Sequence, residues 1–319
     1  MEAVPGHLLL KNCVEDEPTR PAIERALKDD SLLWLDLADT SADTLALLRD
    51  VFNIHPLAVE DAHEFNQRPK VEDYEDFVYI VAYGSRGLDQ PMVEVHCFYA
   101  EHFLVTVHRE EVVAVTEACH TLSRLHTDRR LVALYRVLDA LVDSMFPLLA
   151  ALDDRIDELQ DQIFQKPTED KLAALFALKR QLVDMRKLVT PQRDMVNSML
   201  TQVVPIPGMT AESERYIRDL YDHLIRISDM VDSYRDLLSG SLDAYMSVVS
   251  NRLNDVMKQL TIIATIFLPL SFLTGFFGQN LGWLIAREGS LGAFLIFGIG
   301  TEAAAVLALL FLFRRRGWM

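Results

Sequence analysis

A stripe of small and polar side chains runs through the most apolar part of the chain. Asn254, Met257, Thr261, Ala264, Leu268, Ser271 and Gly275 recur at steps of three and four, which places them on one face of a helix. Such a face can line a water-filled path for an ion. Small and hydroxylated residues also mediate helix packing in lipid, and spacing does not separate the two readings. Farther along, Glu302 interrupts a second apolar run, about 18 Å from Arg314 at 1.5 Å per residue. A carboxyl at that depth is costly; it is either hydrogen-bonded between helices or involved in moving protons.

Other chemistry-bearing groups are less pointed. Asp153, Asp154, Asp157, Glu158 and Asp161 form an acidic run that suits either cation gathering or a solvated helix face. His55, Glu60, Asp61, His63 and Glu64 offer ligand atoms, but their spacing fits no zinc site and reads as surface helix. Cys13, Cys97 and Cys119 stand apart, as reduced thiols do, with neither a disulfide framework nor a zinc knuckle. With no Gly-rich phosphate loop and no Ser/His/Asp arrangement, an enzyme is not expected.

The elements that must position these residues follow from patterning. The chain has 319 residues, is 50% hydrophobic yet 24% charged, and carries a formal net charge of −16. That combination suits a soluble part joined to a membrane part, and the acidic balance argues against nucleic acid as a partner. Residues 262–277 contain no charge, and residues 291–313 contain only Glu302. Both come close to the roughly 20 apolar residues a spanning helix needs. The linker between them is too short for a domain, so the two form a hairpin. Arg314, Arg315 and Arg316 follow the second span, and Arg252 and Lys258 precede the first, whereas the linker holds Arg287 beside Glu288. By the positive-inside rule both termini face the cytoplasm. No cleavable targeting segment is expected in the acidic N-terminus.

The region before the spans divides in two. Residues 1–128 form an α/β domain, with strands at 32–37, 77–84, 93–100 and 102–108 and helices at 42–52 and 110–122. Residues 129–208 are helical, as one long run followed by another that Thr168 and its acidic neighbours begin. A stalk at 209–261 carries Ile217, Leu220, Leu224, Ile227, Val231, Tyr234, Leu238, Tyr245 and Val249 on a packing seam, with Gly240 as its weak point. It leads into a first span and its outer end at 262–280, an external loop at 281–290, a second span at 291–313 and a basic tail at 314–319. If stalk and first span are one helix, the rod is about 100 Å long. Two spans per chain cannot enclose a path, so conduction requires several copies around an axis.

Residues 251–280, NRLNDVMKQLTIIATIFLPLSFLTGFFGQN, resemble the pore helix and signature of the CorA family of magnesium transporters. RPKVEDYEDFVYIVAY at 68–83, HFLVTVHRE at 102–110 and the terminal FRRRGWM resemble other parts of that family, in the same order. The resemblance implies a homopentamer with a funnel-shaped cytoplasmic domain in the cell (inner) membrane. It implies a selectivity filter at Gly278, Gln279 and Asn280, where the family has Gly-Met-Asn. It also implies hydrophobic constrictions at Met257, Leu260 and Leu268, a hydroxyl position at Ser271 and a polar one at Asn254. Asp219 and Asp243 fall on stalk positions where the family binds regulatory metal. The expected cargo is Mg²⁺, which also regulates, with Co²⁺, Ni²⁺ or Zn²⁺ as alternatives because Gln279 departs from the signature. A zinc or nickel transporter coupled to protons through Glu302, and a nonconducting membrane-anchored metal sensor, are the competing functions.

Overall fold

The computed structural model describes residues 4–10, 13–28, 33–124, 130–279, 292 and 294–318. It separates into two units, Met1–Leu242 and Asp243–Met319.

In the first unit, seven strands form one sheet: β1 Gly6–Leu10, β2 Cys13–Asp16, β3 Leu33–Leu37, β4 Lys70–Asp73, β5 Val78–Gly84, β6 Val93–Tyr99 and β7 Phe103–Val107. Their order is β2-β1-β3-β7-β6-β5-β4. Only β3 and β7 run parallel, with Trp34 opposite Leu104 and Asp36 opposite Thr106. Every position of β3, β5 and β6 is buried, so both faces of the sheet centre are covered. That is why these strands read as unbroken apolar and aromatic runs rather than as alternating ones. The four strands expected from sequence are all present. β1, β2 and β4 were not expected; β2 and β4 have the sequences CVED and KVED, too polar and short to stand out. Gly6 (φ 152°) lets β1 approach β3 closely, since a Cβ there would overlap the Asp36 carbonyl.

Helices α1 Arg20–Ala26, α2 Ala42–Asp50, α3 Pro56–Glu64 and α4 Val113–Arg124 accompany the sheet. The long run expected after residue 129 is broken once: α5 spans Arg130–Asp143 and α6 Met145–Gln165. Ser144 sits at the break, its hydroxyl donating to the Leu141 carbonyl at 2.5 Å and accepting from Ser85 N at 2.7 Å. Helix α7 spans Glu169–Leu200 with Thr168 at its N-cap position, although the Thr168 side chain makes no capping bond. Buried Gln192 ties α7 to the sheet by accepting from Tyr83 N at 2.7 Å and donating to Tyr83 O at 3.1 Å. Its amide thus pairs with β5 as a strand would.

Helix α8 runs from Ser213 to Phe277, 65 residues without interruption by Gly240 or Pro269. At 1.5 Å per residue it is about 98 Å long. Its expected seam is buried from Ile217 through Leu238 and again at Tyr245, while Val249 is exposed. In the second unit α8 is succeeded, past residues outside the described ones, by a π-helix at Phe294–Ile299 and by α9 at Gly300–Arg315. Among the described residues, two helices are long and apolar enough to cross a membrane: α8 and the segment Leu295–Arg315.

Candidate ion pathway and cation cluster

The stripe on α8 stays together in the structure. Asn254, Met257, Leu260, Thr261, Ala264, Leu268, Ser271 and Gly275 are all exposed, Leu268 to 73%. Ile262, Thr265, Ile266, Pro269, Leu270, Leu273 and Phe277 are instead half-covered. The helix therefore has a face that its own chain partly shields and another that it leaves open. Thr261 Oγ1 donates back to the Met257 carbonyl at 2.7 Å, so that hydroxyl is already engaged on its own helix.

The helix ends at the expected filter. Gly278 N donates to the Thr274 carbonyl at 2.9 Å, and Gln279 N to Phe276 O at 3.3 Å. Asn280 and the expected external loop lie outside the described residues. On α9, Glu302 is half-buried and its Oε1 accepts from Thr274 Oγ1 at 2.7 Å.

A second constellation lies in the first unit. Asp139 and Asp143, one turn apart on α5, face Asp219 and His223, one turn apart on α8. His223 Nδ1 is 3.2 Å from Asp143 Oδ1 and 3.8 Å from Asp139 Oδ1, and Nε2 is 4.0 Å from Asp219 Oδ1. Tyr135 donates to Asp219 Oδ2 at 3.2 Å, and burial together with the Asp139 and Asp219 charges pushes its phenol up. Burial, then the neighbouring Asp143 charge, raises Asp139 above the usual carboxylate range. Asp139 Oδ1 and His223 Nδ1 are buried atoms without a hydrogen-bond partner among the described residues. Each of Asp139, Asp143 and His223 offers a ligand atom, all within 4.8 Å of one another. Unsatisfied donors and acceptors converging from two rigid helices fit a divalent cation, which would relieve the like-charge strain.

Asp219, expected from the family resemblance, borders this group through His223 and Tyr135, and Asp139, Asp143 and His223 were not expected. The signal was present as two i, i+4 pairs, Asp139/Asp143 and Asp219/His223, separated by some eighty residues, so only the packing of α5 on α8 joins them. Asp243 is exposed and belongs to no such group among the described residues. The candidates near α3 are occupied otherwise. His55 Nδ1 caps Leu57 N at 3.3 Å, Asp61 pairs with Lys70 at 2.6 Å, and the His63 carbonyl accepts from Arg109. Of the acidic run on α6, Asp154, Asp157, Glu158 and Asp161 are solvated.

An α/β domain, a long helix and two helices long and apolar enough to cross a membrane define the class of a two-span membrane protein. The sequence matches the CorA-like Mg²⁺ transporter protein family over residues 29–315, and the chain belongs to that family, one of transporters rather than enzymes. It is 33% identical over 298 residues to the cobalt/magnesium transport protein CorA of Thermotoga maritima, covering 90% of this chain and 83% of the relative. It is 28% identical over 255 residues to the zinc transport protein ZntB of Enterobacter sp. strain 638, covering 78% and 77%. Its fold matches the complete structure of the CorA magnesium transporter from Methanocaldococcus jannaschii, with a TM-score of 0.84 at 22% identity and full coverage of both chains.

Proposed function

We propose that the chain forms a homopentamer in the cell (inner) membrane, both termini cytoplasmic, and admits divalent cations, Mg²⁺ foremost. The single observation that carries this reading is the exposed stripe from Asn254 to Gly275, which ends at Gly278 and Gln279. Five such faces around an axis give a path whose hydroxyl, amide and apolar rings select a hydrated ion. Asn280 amides complete the outer ring. An inside-negative potential drives entry by about 2.3 kcal/mol per charge per 100 mV, so about twice that for a divalent ion.

Cytoplasmic Mg²⁺ closes the path. With the ion present, Asp139, Asp143 and Asp219 are neutralised and α5 is held on α8. As it falls, the carboxylates repel and α8 is released. Asp243 supplies a second regulatory carboxylate farther along the same helix.

Flux into liposomes carrying the purified protein, under an inside-negative potential, tests the reading. Mg²⁺ should enter, with Co²⁺ and Ni²⁺, and Asn280→Ala should abolish entry. A second reading, zinc transport, is favoured by Gln279 in the signature and by the imidazole of His223, since imidazole suits zinc and nickel better than magnesium. Zn²⁺ entry without Mg²⁺ would establish it, and flux insensitive to a pH gradient would remove its proton-coupled form. No flux of any ion would leave a metal sensor.

A further inference from the structure

Glu302 is the only ionisable side chain in residues 291–313. A carboxyl within a spanning segment needs a partner, and here it has a specific one. Glu302 Oε1 lies 2.7 Å from Thr274 Oγ1, which is itself 2.9 Å from the Leu270 carbonyl of its own helix. The carbonyl of Thr274 in turn accepts the N–H of Gly278 at 2.9 Å. Thr274 is therefore held by Glu302 through its side chain and holds the signature glycine through its backbone. The turn is close-packed there, since a Cβ on Gly278 would come within 3.1 Å of that same carbonyl.

The second span is built to present this acid. The π-helix Phe294–Ile299 directly precedes α9, and Glu302 stands in the first turn of α9. A π-turn winds wider than an α-turn and shifts the angular register of the helix beyond it, a feature common at functional sites. Thr301, beside Glu302, closes back on the Phe297 and Gly298 carbonyls of the π-turn at 2.6 and 2.9 Å.

We propose that Glu302 is a positioning residue for the filter: through Thr274 it fixes the last turn of α8, and so sets the apparent affinity for the incoming cation. This rests on the transporter reading. The residue touches no ion itself. It acts on the step in which the outer ring first takes up the hydrated ion, and leaves the cytoplasmic cation cluster alone.

The test uses the full-length protein in liposomes, with Mg²⁺ as the probe. Thr274→Val and Glu302→Leu each remove one end of the bond while keeping an uncharged side chain suited to lipid. Each should raise the half-saturating external Mg²⁺ on the order of five- to tenfold, the size expected for one hydrogen bond. Maximal flux and inhibition by internal Mg²⁺ should stay within about twofold, and the double variant should be no worse than either single one. Glu302→Gln, whose amide can still accept the hydroxyl proton, should remain near the parent. Hydrogen exchange at the Gly278 amide should quicken in Thr274→Val and Glu302→Leu and not in Glu302→Gln. Additive singles, a Glu302→Gln as impaired as Glu302→Leu, or a fall in maximal flux alone would overturn the proposal. So would unchanged exchange at Gly278. If the parent passes no ion, the transporter reading falls, and the exchange measurement still decides whether Glu302 holds the turn.

Discussion

The first unit sets Asp36 beside His108 on the sheet, and Asp139 and Asp143 beside His223 between α5 and α8, and the two clusters use their polar atoms differently. Around Asp36 every polar atom is used. Thr106 donates its hydroxyl proton to Asp36 Oδ1 and accepts from Trp34 Nε1 at 3.0 Å. His108 Nε2 lies 3.2 and 3.3 Å from the two Asp36 oxygens, and Nδ1 is 2.7 Å from the Glu110 carbonyl. Both ring nitrogens thus face acceptors, which a protonated imidazole satisfies. Around Asp139, Asp143 and His223 the same side-chain types are gathered, yet Asp139 Oδ1 and His223 Nδ1 are buried with no hydrogen-bond partner among the described residues. A closed network fixes the parallel pair β3 and β7. An open one has bonding capacity left for a ligand.

The sharpest way to break this comparison is at the closed end. Asp36→Ala strands a buried imidazolium and should cost about 3–5 kcal/mol of stability in chemical denaturation, equally with and without divalent cation. The pair also carries a pH signature. Burial pulls the His108 imidazole down, but Asp36 and the Glu110 carbonyl hold it above its ordinary value. A raised histidine contributes stability that is fully present below its unfolded value, about 6.5, and is lost as pH rises through the folded value. The midpoint should therefore fall with rising pH in that window for the parent, and that slope should be absent from Asp36→Ala. A cation-dependent loss would mean that the closed network is a ligand site after all.

The open cluster should answer differently. Asp143→Asn removes a like charge beside Asp139, so the metal-free protein should be as stable as the parent or slightly more so. What should vanish is the stabilisation by divalent cation, about 2.7 kcal/mol for the parent at a hundred times its dissociation constant. Midpoints measured across a Mg²⁺ and Co²⁺ titration check this. A variant still stabilised in full would remove Asp143 from the ligand set.

Why sequence revealed one half of this and not the other is a matter of range. The spans, the four principal strands and the common face of the α8 stripe depend on neighbours along the chain, and periodicity reports those directly. Asp219 was legible only through a family resemblance. Asp139, Asp143 and His223 look like ordinary polar residues on amphipathic helices until α5 and α8 are packed. Asp36 gave no signal either, being one acid in the strand LWLDL whose partners are 70 and 72 residues away. The break at Ser144 has a local signal in Pro147, which has no N–H to offer the Asp143 carbonyl, while the bond from Ser85 N that meets the break comes from across the fold.

The smallest expected effect separates two aspartates on one helix. Asp219 sits within 4.0 Å of His223 and shares a hydrogen bond with Tyr135, whereas Asp243 is exposed and outside the cluster. Charge-neutral Asp219→Asn should shift the curve for inhibition of flux by internal Mg²⁺ to higher concentration. Asp243→Asn should shift it in the same direction but less, because an exposed carboxylate contributes little to holding an ion unless neighbouring groups converge on it. Equal shifts would mean that Asp243 acquires partners of its own from another subunit, and that an open cluster within one chain is not what makes a regulatory site here. No shift from Asp219→Asn would set the whole cluster aside as a regulator, whatever metal it binds.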